Sequence, residues 1–443
     1  MMRRYLSRTG VLLTFMATSV HSSPLLNNFR AEPWFCIQKR VGSDRVVCRL
    51  NHRKKVLCTH MRHVVYQWIH KALVTEKVTI PAVQQPATAY LVKVLLAESS
   101  LRNTALEWTL HASSACTIVT SNGQLMHTCT NGVVHIAVRN GAVYLNNRSC
   151  KHATVIIQPS SGHIQFGDRK YAGSFILVYD HEKIYLVNAL ELEEYICGVL
   201  STESWPGWPL EINKVLAIAA RSYVLSMILR TTGSKMPYHI RNTNHHQTYG
   251  GAHAHDIHRQ AVEQTRGIFL AYKNQPIIAM FDGCCGGIIP AHIADTSFDD
   301  APYLARSYAC THCKRCKIYS WKAEYTMHEF AQKIKKEAKA IGKIKTVHIT
   351  KKDRAGLVKQ VKCRDGKRTV HLTGKKLYSL CKEIKSFCFT ITPKTDSILV
   401  QGRGFGHHLG LCQWGAWEMV REGKEYSYIL PFYYPGTTLV KLL

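Results

Sequence analysis

The sequence predicts an α+β fold: a β-rich N-terminal module of short strands, then a mixed α+β core built around a buried helix. Three observations predict it. Between about residues 89 and 190, short apolar runs alternate with turn signals such as "SNGQ", "RNGAVYL" and "SSGHIQFGD", the pattern of short strands. Residues 211–230, "EINKVLAIAARSYVLSMILR", are apolar nearly all round, as expected of a helix buried on most sides. Near the end, "SILVQGRGFGHHLGLCQWGAWEMVREG" reads as strand, glycine-rich turn and helix.

In chain order, residues 1–22 read as a secretory signal peptide. Arg3, Arg4 and Arg8 form its positive flank, Val11 to Val20 its apolar stretch, and Val20-His21-Ser22 a small-residue cleavage site. Residues 24–85 show no assignable pattern. Residues 86–187 form the β-rich module and residues 188–443 the mixed core. Asn188 is placed to cap a helix, and Glu191, Glu193 and Glu194 suit a helix N-terminus. In the 211–230 helix, Ile212, Val215, Leu216, Ala219 and Tyr223 share a face, and Gly233 is a natural stop. "AVEQTRGIFLAYKNQPIIAMF" predicts a helix and two strands joined near Asn274, and residues 324–340 predict a further helix with a basic exposed side. No segment after the signal reads as a membrane span, so export to the periplasm or cell envelope is expected, as a soluble or peripheral protein.

The 443 residues are 46% hydrophobic, enough for real cores, and carry a formal charge of +29. Such a surface attracts polyanions: nucleic acid, anionic lipid or acidic wall polymer. No base-reading module is visible, so nucleic acid is not the expected partner. The sixteen cysteines are spread along the chain, consistent with an oxidising compartment and with a core that they decorate rather than replace.

Three stretches carry candidate chemistry. In "STESWPGWP", residues 201–209, the single acid Glu203 stands among Trp205, Pro206, Trp208 and Pro209. Apolar walls favour a protonated carboxylic acid, the form that donates to a leaving oxygen. A first-turn acid of the following helix is the competing reading. In "GRGFGHHLG", residues 402–410, the glycines let the backbone pack closely and present His407 beside a cleft; a dinucleotide turn would need a following strand that the chain lacks room for. Cys310, Cys313 and Cys316 form a C-x-x-C-x-x-C run with Cys284 and Cys285 upstream. Zinc takes four N or S ligands, so Cys285, Cys310, Cys313 and Cys316 are the candidate set. Disulfide pairing, which an oxidising compartment allows, competes for the same thiols. His245 and His246 are further ligand candidates.

Together these pieces resemble the stage II sporulation protein D family, also called the SpoIID/LytB or amidase-enhancer family. The resemblance rests on "LELEEYICGVLSTESW" with "AIAARSYVL", on "HHQTYGG", "AVEQTRGIFLAY", "DGCCGG" and "APYL", and on "GRGFGHHLGLCQWGA" with "ILPFYYPGTTL", all in order from about residue 89 to the end. It implies a peptidoglycan lytic transglycosylase acting on glycan strands without stem peptides, with Glu203 as acid and base, needing no cofactor. It also implies Trp205, Trp208, Arg221, Gln247, Tyr249, His407 and Gln413 as cleft residues. The amidase-enhancer name implies the alternative of a non-catalytic wall-binding activator of an N-acetylmuramoyl-L-alanine amidase. Anionic wall or membrane surface is the expected partner of the basic charge. This chain departs from the family's closing motif, with His408 and Cys412 in place of Gly and Ser, and lacks the cysteines that hold zinc before the Gln-x-Tyr step in some members.

Overall fold

The structure is a computed structural model that describes residues 90–442 apart from 104, 181, 253–254, 295 and 338–341, together with the backbone of three short strands nearer the N-terminus. The expected signal peptide lies outside the described residues, as does most of the 24–85 segment. The chain divides into two compact units, Met1–Val78 and Thr79–Leu443. In the first, Ile37–Lys39 pairs antiparallel with Val46–Cys48.

The second unit opens with the predicted short strands. One sheet runs in spatial order through Arg148–Cys150, Ala142–Leu145, Val133–Arg139, Glu107–Ala112, Ile164–Phe166 and Arg169–Tyr171. The other runs through Ile240–Arg241, Leu91–Ser100, Lys183–Glu191, Ser174–Tyr179, Thr154–Pro159, Cys116–Thr120 and Leu125–Cys129. Burial alternates along these strands, as in Cys116–Thr120, and the inward residues of both sheets join one apolar core. The expected module boundary at residue 187 falls inside the strand Lys183–Glu191, so the β-rich half and the core share a sheet. Asn188 is correspondingly not a helix cap. It lies buried in that strand and donates to the carbonyls of Ala172 and Ser174.

The strand passes directly into helix α1, Leu192–Glu203. Helix α2, Leu210–Thr231, follows and packs on α1, on α3 (Asp256–Gln264) and on the strand Ile268–Tyr272. Among the described residues α2 alone is long and apolar enough to cross a membrane, contrary to the reading that no such segment exists. It is nevertheless a core helix, with 78% of its apolar window buried. Each fully buried Ile, Val or Leu on it contributes roughly 1.5–3 kcal/mol. Gly233 follows the helix end with φ +78°, as a stop residue should. Lys273 and Asn274, both at positive φ, turn Ile268–Tyr272 back onto Gln275–Pro276.

Residues 320–403 form an inserted α/β unit with its own apolar core, centred on Phe330, Val347, Val361, Leu377 and Ile398. It holds two three-stranded sheets and the helices α4 (Met327–Ile334) and α5 (Gly374–Leu380). The helix expected over 324–340 is thus shorter. Ser320–Thr326 alternates in burial and pairs with Ser397–Arg403, and a capping box between Thr326 and Glu329 starts the helix only there. The chain closes with α6 (Gln413–Arg421), α7 (Tyr426–Tyr433) and the strand Thr438–Leu442, which pairs with Ile268–Tyr272.

One buried ion pair joins α1 to α2. Arg221 is 0% exposed, and its Nη2 lies 2.6 Å from the Glu193 carboxylate. Arg221 Nη1 also donates to the Ile268 carbonyl, and the Gly267 N–H donates to Glu193. Glu193 is therefore a core residue rather than a solvated first-turn acid. Removing one partner of such a pair costs roughly 3–5 kcal/mol. Arg221→Leu should lower the urea unfolding free energy by about that amount, and adding Glu193→Leu should restore part of it. A single-variant loss below about 1 kcal/mol would contradict a buried role for the pair.

Candidate functional site

Glu203 is the last residue of α1, and Ser204 turns the chain out of the helix in extended conformation. Gly207, at φ +79°, bends the chain so that the Trp208 N–H reaches the Trp205 carbonyl. Asn213 Nδ2, one turn into α2, donates to the carbonyls of Trp208 and Pro209. The connection between α1 and α2 is thereby held at both ends.

The half-buried Glu203 side chain reaches across to the 247–249 segment. Its Oε1 accepts the backbone N–H of Thr248 at 2.8 Å, while Thr202 Oγ1 donates to the Thr248 carbonyl at 2.6 Å. Gln413 Nε2, at the start of α6, donates to the Glu203 carbonyl at 3.1 Å. The acid and the closing motif, 210 residues apart in sequence, meet here.

Beside them stands a tryptophan cluster. Trp205 and Trp414 make an edge contact with centroids 5.4 Å apart, and Trp208 stacks on Trp417 at 6.1 Å. Lys317 Nζ lies 5.6 Å above the Trp205 ring and 5.9 Å above Trp414. Two polar atoms of this corner, Ser204 Oγ and Trp414 Nε1, are buried and have no hydrogen-bond partner among the described residues.

The structure thus gathers Glu203, Trp205 and Gln413, and buries several other residues expected in the cleft. Trp208 is 5% exposed and belongs to the core, so it supports Trp205 rather than facing a sugar. Arg221 is committed to Glu193, as described above. Gln247 is buried, accepting from Tyr195 Oη and donating to the Ala220 carbonyl. Tyr249 is buried and donates to Asn188 Oδ1 at 2.9 Å. Gln247 and Tyr249 anchor the segment whose middle residue, Thr248, presents its N–H to Glu203. His246 Nδ1 accepts the Arg241 N–H, and His245 is exposed.

His407 sits partly buried in the glycine-rich turn, where its Nδ1 accepts the Leu409 N–H. Close packing of this turn is real: a Cβ on Gly410, at φ +70°, would lie 1.9 Å from the Met280 carbonyl oxygen. That approach lets Leu411–Cys412 pair in parallel with Phe281–Asp282.

Every described cysteine is a free thiol. The Sγ atoms of Cys285, Cys310, Cys313 and Cys412 all lie within 4.8 Å of one another, and all four are buried. Cys316 is not among them; it approaches Cys284 instead, at 3.6 Å. The fourth member of the group is therefore Cys412. The regular spacing of the C-x-x-C-x-x-C run misled because Cys316 already lies beyond the short 3-10 turn His312–Arg315.

Sequence reasoning missed Thr248, Lys317, Trp414 and the grouping of Cys412. Thr248 contributes a backbone N–H, which no residue type announces. Trp414 and Trp417, three apart on α6, were a legible helical stripe.

The comparisons with known proteins agree with this layout. The family model for stage II sporulation protein matches residues 180–272, which include α1, Glu203 and Thr248. A model of a domain of unknown function, DUF8618, matches residues 304–410. An uncharacterised protein of Brachyspira hyodysenteriae is 28% identical over 319 residues, covering 72% of this chain and 84% of the relative. Stage II sporulation protein D of Bacillus subtilis is 28% identical over 273 residues, covering 57% and 75%. An amidase enhancer of Bacillus subtilis is 25% identical over 360 residues, covering 70% of this chain and 50% of that protein.

Burial brings the His407 imidazole down to about 4 from the ordinary 6.5, against a smaller opposing hydrogen bond to Phe281. Between those values the unfolded chain binds a proton that the folded chain does not. His407 therefore makes stability fall as pH drops from 6.5 towards 4. His407→Gln should shallow the loss of stability between neutral and mildly acid pH, measured by denaturant unfolding; an unchanged slope would show that the ring is not held neutral.

Proposed function

We propose that the chain, which is similar to the stage II sporulation protein family over residues 180–272, is an exported peptidoglycan lytic transglycosylase, cleaving glycan strands that lack stem peptides, with Glu203 as its one general acid and base. The observation that carries this reading is the placement of Glu203 at the C-terminal end of α1, where the chain turns towards α2. Its carboxylate is oriented by the Thr248 N–H, and its backbone is tied to Gln413.

One carboxylate suffices for this reaction. Most glycosidases need two, one acid and one nucleophile or base. Here Glu203 protonates the glycosidic oxygen as the bond from C1 to that oxygen breaks. The sugar's own C6 hydroxyl attacks C1, and its proton passes to the Glu203 carboxylate. The products are a 1,6-anhydro end and a new hydroxyl end; no water is consumed, and Glu203 returns to its starting form. Trp205 and Trp414, each half-buried, supply the aromatic surface against which a sugar would pack. Two depressions among the described residues, one lined by Tyr272 and one by Met126, do not include Glu203 in their linings. An extended glycan strand calls for an open surface groove rather than a closed pocket.

The charge supports a wall-facing protein. The inserted unit, residues 320–403, holds 21 of the 58 lysines and arginines and only 7 of the 29 acids, so about half the net charge sits on it. It would hold the chain to anionic wall or membrane surface in the periplasm or cell envelope. A second reading follows from the amidase-enhancer relative: the chain binds glycan without cutting it and stimulates an N-acetylmuramoyl-L-alanine amidase.

One experiment separates the two. Purified protein should release anhydro-ended fragments from stem-peptide-free sacculi, and Glu203→Gln should reduce release at least about a hundredfold with the fold intact by circular dichroism. Unchanged release by the variant would refute the assignment. Glycan capture without any release, with amidase stimulation that survives the substitution, would establish the second reading.

A further inference from the structure

We infer that Cys285, Cys310, Cys313 and Cys412 form a tetrathiolate zinc site that staples the root of the inserted unit to the core. The four come from three separate stretches of chain. Cys285 lies in the turn after Phe281–Asp282, Cys310 just before and Cys313 within the 3-10 turn His312–Arg315 that leads towards the insert, and Cys412 lies just after the chain returns from it. The site therefore closes the loop of chain that carries a separate hydrophobic core.

The geometry suits a metal better than disulfides. Zinc–sulfur bonds of about 2.3 Å in a tetrahedron put sulfurs about 3.8 Å apart, and Cys285 Sγ and Cys313 Sγ are 3.7 Å apart. Disulfides pair thiols two by two, whereas these four sulfurs are mutual neighbours within 4.8 Å, and no pairing is singled out. Burial is close to complete, at 0–1% exposure for each.

The surroundings fit thiolates. Cys412 Sγ accepts the N–H of Cys285 at 3.2 Å and that of Gly415 at 3.3 Å, the latter from the first turn of α6, whose positive end favours an anion. Cys310 Sγ contacts Tyr433 Oη at 3.2 Å. A Cβ on Gly415 would meet Cys310 Sγ at 2.7 Å and Cys412 Sγ at 3.2 Å, so glycine there leaves the sulfurs their space.

An independent observation concerns charge. Arg306 is 0% exposed, its Nε has no partner, and no carboxylate lies within ion-pair distance of it among the described residues. Its Nη1 and Nη2 donate to the carbonyls of Tyr308 and Ile288, and the buried Asp282 is close enough to feel its charge; a buried cation is costly without such compensation. Its guanidinium lies 5.7 Å from the centroid of Tyr433, the ring whose hydroxyl touches Cys310. Zinc binding by four thiols releases four protons to solvent and leaves a site of net charge −2, which offsets Arg306. Cys412 sits at the family-divergent position noted above and immediately precedes Gln413, so the same staple fixes the residue that reaches Glu203.

The test is metal content, which is independent of whether the chain cleaves glycans. The full chain, purified without chelator, should hold one zinc by elemental mass spectrometry. Exchange for cobalt(II) should give thiolate-to-cobalt charge-transfer bands and tetrahedral d–d bands. Cys412→Ser should lower zinc retention at least about tenfold, and Cys316→Ser should leave it unchanged. Wild-type protein with no zinc, whether its thiols are alkylated freely or its intact mass shows disulfides, would overturn the inference. So would equal zinc loss from Cys316→Ser.

Discussion

A single backbone hydrogen bond, from the Thr248 N–H to Glu203 Oε1, fixes the carboxylate around which the proposed chemistry is organised. A glutamate at a helix C-terminus has three rotatable bonds and would otherwise sample open solvent. The bond works only because both of its ends are held. α1 is continuous with the sheet strand Lys183–Glu191 and tied to α2 through Glu193 and Arg221, so Glu203 has a fixed base. Thr248 is held because Gln247 and Tyr249 on either side bury their side chains against Tyr195 and Asn188. Core packing and a polar network thus specify the direction of one side chain.

Much of this was legible in the sequence. Short strands with turn signals, the apolar helix and the position of Glu203 between two helices follow from periodicity and composition. The roles of Arg221, Gln247 and Tyr249 were not legible. An arginine, a glutamine and a tyrosine in a motif look like substrate contacts, but here each satisfies a buried partner. The sequence shows that such residues are present without showing which way they face. Asn188 misled similarly: a good capping residue was taken up by a strand because its amide satisfies the carbonyls of Ala172 and Ser174 beside it. Trp208 misled because a tryptophan beside an acid can equally brace another tryptophan.

The inserted unit adds a second layer of organisation. It has its own core, and it leaves and rejoins the chain beside the thiol group and the start of α6. Movement of the insert root would be transmitted to Gln413 and Trp414, and through them to the corner holding Glu203. The dense positive charge of the insert and the corner holding Glu203 are thus joined through one short stretch of chain. A surface that attaches to an anionic polymer would act near the root that positions the acid.

The central claim is that one carboxylate and the substrate's own hydroxyl perform the cleavage. Oxygen-18 water tests it most directly, because a hydrolase must place solvent oxygen on the new anomeric end whereas ring closure uses none. The account predicts glycan fragments whose new ends carry no label, read by mass spectrometry of the released products. Fragments enriched in oxygen-18 at the anomeric carbon would show that water is the nucleophile and would contradict it.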